Sequence, residues 1–174
     1  MAIRTIITLD HPKGHMLREK AKKVTQFDAG LERLVRDMWE TMREAPGVGL
    51  AAPQIAVPLR VLVAEYEEER CALVNPEIIK MAGEVTGTEG CLSIPGYVGD
   101  NIRRAEKITV KARNEKGSPV KIMAEGWFAR VLQHEIDHVN GILYTDRLDR
   151  PEDLHEVGPE DEDEELAPAQ KAKV

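Results

Sequence analysis

The residues with the clearest chemistry are His134-Glu135-Ile136-Asp137-His138. On a helix, positions four apart sit one turn above each other on one face, so both imidazoles can reach a single ion. Glu135 is rotated off that line and can reach a water on the ion without binding the metal itself. This is the His-Glu-x-x-His arrangement of metal-dependent hydrolases. A chance match on a charged helix is the competing reading. The segment Trp127–Val139 is apolar almost all round, however, which predicts a buried helix, where His and Glu without partners would be costly.

Two histidines do not complete a catalytic site, which usually takes three protein ligands and keeps a position open. A continuation H-x-x-G-x-x-H would supply a third histidine; Gly141 fits it, but Tyr144 occupies the ligand position. A glutamate from a later helix is a second option, but the acids downstream lie in a solvated tail. Upstream, Glu89-Gly90-Cys91-Leu92-Ser93-Ile94-Pro95 offers a cysteine between Gly and Pro just past an expected strand, where a loop can aim its side chain. Taken alone, a single Cys is more often an inert core thiol. Cys71, at the head of Ala72-Leu73-Val74, is read that way.

The elements that must position these groups are partly legible. Residues 28–45 predict an amphipathic helix with Leu31, Leu34, Val35, Met38, Trp39 and Met42 at helical spacing and Asp28 as N-cap. Leu59–Tyr66 and Cys71–Ile79 read as strands. Ile108, Val110 and Ala112 alternate with charged residues, Asn114–Gly117 turns, and Val120, Ile122 and Ala124 return on alternate positions, which predicts a hairpin. Asn140-Gly141 ends the buried helix.

The chain has 174 residues, suited to one domain with a real core. The net charge of −7 is carried by residues 151–174, whose nine acids, including the unbroken run Glu160–Glu165, face only two lysines. A neutral body with an acidic tail gives no electrostatic case for nucleic-acid binding. The tail holds too little apolar surface to offset ordering and is expected to be disordered, with a short docked helix around 152–157 as the alternative. No secretory pattern opens the chain and no run is long and apolar enough to span a bilayer. The expected setting is therefore a reducing cytoplasm, where two cysteines are ligands or core groups rather than a disulfide.

Three segments together resemble the peptide deformylase family: Gly47-Val48-Gly49-Leu50-Ala51-Ala52-Pro53-Gln54, Glu89-Gly90-Cys91-Leu92-Ser93 and Gln133-His134-Glu135-Ile136-Asp137-His138, in the family's order. Leu73-Val74-Asn75-Pro76 and Arg104-Ala105-Glu106-Lys107 are lesser matches. The resemblance covers most of residues 3–148 and implies a catalytic domain over 1–150, followed by the tail. It implies an α+β fold with antiparallel sheets packed around the central helix 127–139 and the helix 28–45 outside. It further implies Cys91, His134 and His138 as metal ligands, and Glu135 as general base and acid. Gln54 and the backbone N–H of Leu92 would hold the oxyanion, Gly49 would contact the peptide through its backbone, and Val48 and the Leu92 side chain would shape a methionine pocket. The implied reaction is removal of formyl from N-terminal formyl-methionine of new polypeptides near the ribosome: metal-bound water attacks the formyl carbon, and formate leaves. Fe(II) is the implied ion, with Zn, Ni or Co as substitutes. The stretch Gly96–Arg103 departs from the family's pattern and is expected to be a loop bordering the substrate groove. Arg104 is expected to pair with Glu89 and steady the Cys-bearing segment. His11, His15 and His155 are read as surface or loop residues.

Overall fold

The computed structural model describes residues 2–158. Its elements in chain order are α1 (Ala29–Glu44), β1 (Gly49–Ala51), β2 (Val61–Tyr66), β3 (Glu69–Ala82), β4 (Val85–Cys91), β5 (Ile94–Arg104), β6 (Lys107–Arg113), β7 (Pro119–Glu125), α2 (Gly126–Val139) and β8 (Leu154–Glu156). Strands β1-β2-β3-β6-β7 make one antiparallel sheet in that order, and β4-β5-β8 make another. This is the expected α+β architecture.

Alternation along β2 explains how one sheet serves two helices. Val61 and Val63 join Leu31, Leu34, Val35 and Met38 of α1, while Leu62 and Ala64 join Phe128, Val131, Leu132 and Ile136 of α2. Both faces of β2 are covered, so it reads as a continuous apolar run. The β6–β7 hairpin has the expected register, Ile108 opposite Ala124, Val110 opposite Ile122 and Ala112 opposite Val120. Its apolar row closes the α2 side of the core.

The start of α1 and the end of α2 are both set locally. Asp28 Oδ1 accepts from the N–H groups of Gly30 and Leu31 at 2.9 and 3.0 Å, which caps α1. At the end of α2, Gly141 takes φ +75°; its N–H bonds His138 O and the Ile142 N–H bonds Asp137 O, at 3.1 and 2.9 Å. That pair of bonds is a Schellman stop, and it turns the chain back immediately after His138.

Three expectations are corrected. Cys91 does not sit on a loop: it is the last residue of β4, paired with Ile94 of β5, because the turn needs only Leu92 and Ser93. Gly96–Arg103 is not a loop either. It lies within β5, which is hydrogen-bonded to β4 on one side and β8 on the other and buries Val98 and Ile102. The acidic segment also starts in an ordered way: Pro151–Asp153 form a 3-10 turn and Leu154–Glu156 pair with Tyr97–Gly99. Tyr97 Oη donates to Glu156 at 2.7 Å and Asp153 accepts from Asn101 at 3.0 Å. The docked alternative is thus realised as a strand and not a helix. The acidic run Glu160–Glu165 lies outside the described residues.

Candidate active site

The site residues arrive on separate elements. Cys91 comes from the end of β4, His134, Glu135 and His138 from α2, Gly49 from β1, and Gln54 from the 3-10 turn Ala52–Ile55 that follows it. The ligand atoms of Cys91, His134 and His138 lie within 4.8 Å of one another, and all three side chains are buried. His134 Nε2 and His138 Nε2 are 3.2 Å apart, and Cys91 Sγ is 3.3 Å from His138 Nε2. A tetrahedral ion with nitrogen bonds near 2.0–2.1 Å would set two imidazole nitrogens roughly 3.3 Å apart. The spacing therefore fits one small divalent ion.

Protonation supports the same fit. His134 Nδ1 donates to Glu89 Oε2 at 2.8 Å, which fixes the tautomer and leaves the Nε2 lone pair facing the trio. Burial, and then the neighbouring His134, push His138 well below the usual histidine range, so it is neutral. Burial pushes the Cys91 thiol up to about 12, against N–H bonds from Ser93 and Ile94 that stabilise the thiolate. A cation is what would draw that proton off.

Glu135 is fully buried and neither carboxyl oxygen has a hydrogen-bond partner among the described residues. Burial, reinforced by the Glu89 carboxylate, pushes its pKa well above the usual carboxylate range. A carboxyl with raised proton affinity, beside three metal donors, is suited to general acid–base work. Gly49 packs directly on it: a Cβ there would overlap Glu135 Oε1. Gln54 is oriented by Ala51, whose N–H donates to Oε1 at 2.8 Å. The amide nitrogen must then face the other way, toward Ser93 Oγ at 3.3 Å and Cys91 Sγ at 3.7 Å. Leu92, at the turn beside Cys91, packs on the α1-side cluster, and Val48 packs on the α2-side cluster.

The expected Arg104–Glu89 pair is present and extends further than the motifs indicate. Arg104 Nε and Nη2 donate to Glu89 at 2.7 and 2.8 Å, and Nη1 donates to Asp137 at 2.6 Å. Arg130 Nη1 adds a bond to Glu89 at 2.8 Å. Burial would raise Glu89, but Arg104 overcomes it and holds the carboxyl well below its ordinary range. Asp137, between the two histidines, also receives Arg147 at 2.5 and 2.6 Å. Sequence reasoning assigned no role to Asp137, Arg130 or Arg147, because their partners lie 10 to 41 positions away. His11 and His15 are outside the site, and His155 lies on β8, its Nδ1 3.6 Å from Asp100.

Comparison with known proteins agrees with this geometry. A family model for polypeptide deformylase matches residues 3–153. A peptide deformylase of Dehalococcoides mccartyi is 48% identical over 164 residues, covering 93% of this chain and 96% of that protein. Peptide deformylase 1 of Bacillus subtilis is 45% identical over 152 residues, with 86% and 92% covered. The crystal structure of a peptide deformylase from Legionella pneumophila superposes with a TM-score of 0.81 at 48% identity, covering 87% of this chain and 89% of that one. With sequence and fold matched across nearly the whole body, and the Cys91, His134 and His138 donors gathered at one point, this chain belongs to the peptide deformylase family.

Proposed function

We propose that residues Glu135, Gln54 and Leu92 carry out the family's reaction here, hydrolysis of the formyl group from N-terminal formyl-methionine with release of formate. The observation that carries this reading is the Glu135 carboxyl, fully buried, without a hydrogen-bond partner among the described residues and set beside the Cys91–His134–His138 trio. Such a group is costly unless something else satisfies it.

Cys91, His134 and His138 would hold a divalent ion, which would supply Lewis acidity at the site. Glu135 takes the proton from the attacking water and later gives it to the departing amine. Gln54 Nε2 and the Leu92 N–H donate to the oxyanion that develops on the formyl oxygen. The β1 edge at Gly49 offers backbone groups to the peptide, which adds beside it as an extended strand. Val48 and the Leu92 side chain line the methionine pocket from its two sides. The catalytic machinery is contained within residues 1–150.

The resident ion is Fe(II). The family resemblance supports this choice, and the thiolate-plus-imidazole donor set also accepts Zn, Ni or Co. The substrate is met beside the ribosome in the cytoplasm, where formylated chains arise and where both cysteines stay free.

Protein purified anaerobically should contain one iron per chain and release formate from a formyl-Met peptide. Glu135→Ala should keep its metal and lose activity by about 10²–10⁴-fold, the usual span for a general acid–base group. A fully metallated wild type that releases no formate would overturn the assignment.

A further inference from the structure

One charged residue that belongs to none of the motifs is wired to a metal ligand. Arg147 closes the 3-10 turn Tyr144–Arg147, nine positions after His138, and its side chain is 39% exposed. Its Nε and Nη2 hold both oxygens of Asp137, at 2.5 and 2.6 Å. Asp137 Oδ2 also accepts from Arg104 Nη1 at 2.6 Å. Arg104, 1% exposed, spends its remaining donors on Glu89, and Glu89 Oε2 accepts from His134 Nδ1 at 2.8 Å. The path from the surface to a ligand ring is therefore Arg147, Asp137, Arg104, Glu89, His134, with every step a charge-assisted hydrogen bond.

We propose that Arg147 is a positioning residue for the metal centre, fixing the His134 ring and the seat of the ion through Asp137, Arg104 and Glu89. The argument is geometric. The Arg104 guanidinium is shared between two carboxylates, one on β4 two residues before Cys91 and one on α2 one residue before His138. Where it rests decides how β4 and α2 face each other. Arg147 occupies both Asp137 oxygens from the far side. Without it, Asp137 Oδ1 loses its partner, and the carboxylate is free to swing and engage Arg104 at two points. Arg104 would then give up part of its grip on Glu89, and Glu89 part of its aim at His134. Partners of this kind, one bond removed from a ligand, typically change metal affinity by about 10–100-fold. Arg147 acts from further out, so a smaller effect is expected.

This inference rests on the metal-site reading above, and the test separates the two. Wild type, Arg147→Gln, Arg147→Lys and Arg18→Gln would be loaded with Co(II) under anaerobic conditions. Release to excess chelator and the Co(II) visible spectrum would be followed, together with thermal unfolding. Arg18→Gln is the structural control, because it removes an ion pair to Asp146 on the same 3-10 turn without touching Asp137. Arg147→Gln should release Co(II) roughly 3–10-fold faster than wild type and shift the spectrum, as a weakened outer hydrogen bond would. Arg147→Lys should fall between the two, and Arg18→Gln should match wild type in release whatever its unfolding temperature. Equal release from Arg147→Gln and wild type, or equal acceleration by Arg18→Gln, would overturn the positioning role. A wild type that binds no Co(II) would instead overturn the metal site itself.

Discussion

Glu135 and Gln54 show how single side chains are prepared for chemistry by what surrounds them. Glu135 is buried without a partner among the described residues, and burial raises its proton affinity. Gln54 Oε1 is held by Ala51 N–H, and the amide that results points its donor end toward Cys91 and Ser93. A donor already aimed costs no reorganisation when charge develops on the substrate. Gln54→Ala should therefore lower kcat by about 10²–10³-fold while changing KM much less, as expected for a group that acts mainly on the oxyanion. Steady-state kinetics with a formyl-Met peptide will test this; an unchanged kcat would remove Gln54 from the machinery.

At the scale of elements, the site is a junction of three. β1 and the turn after it bring Gly49 and Gln54, β4 brings Cys91, and α2 brings both histidines and Glu135. β1 and α2 approach closely at Gly49 and Glu135. A Cβ at Gly49 would lie 2.8 Å from Glu135 Cγ, so Gly49→Ala must push either the strand or the carboxyl aside. Overpacking of this sort costs about 1–3 kcal/mol. The variant should bind one metal per chain, unfold at a lower temperature and lose most of its activity, because the displaced group is the proposed general base. Metal content measured beside activity will separate this from damage to the ligands: a metal-free variant would mean that the strain spreads to the histidines.

At the scale of the molecule, long-range ties hold these elements in register. The N-terminal segment is strapped over α1, with Arg4 Nε and Nη2 donating to Asp37 at 2.9 and 2.7 Å and the Ala2 N–H donating to the same carboxylate at 2.9 Å. It continues to Ile7, whose N–H bonds the Gln54 carbonyl at 2.8 Å. The Arg4 bond holds the Asp37 carboxyl below its ordinary value near 3.8. A depressed carboxylate stabilises the fold above its unfolded pKa and loses that contribution as pH falls through the folded one. Asp37→Asn should therefore unfold at a lower temperature than wild type at pH 7, and the gap should close as pH drops below about 4. Melting curves from pH 7 to pH 3 will show it; a gap that persists in acid would mean that packing, not charge, fixes the strap.

The sequence by itself determined the chemistry and the local elements. The i, i+4 histidines with Glu135 between them, the capped amphipathic helix from Asp28, the alternating hairpin and the Gly141 stop all depend on neighbours within a few positions, and such patterns are written in spacing. Cys91 as third ligand was legible only through the resemblance, because its partners are 43 and 47 residues away. Tertiary structure alone decided that Gly96–Arg103 is a strand, since its pairing with β4 and β8 is set by hydrogen bonds to distant chain. It alone joined buried Glu89, Arg104 and Asp137 to the exposed Arg147 in one network. Charges in a sequence carry no sign of their partners. Burial turns Glu89, Arg104 and Asp137 from ordinary surface-type residues into a frame, and burial is a property of the folded whole.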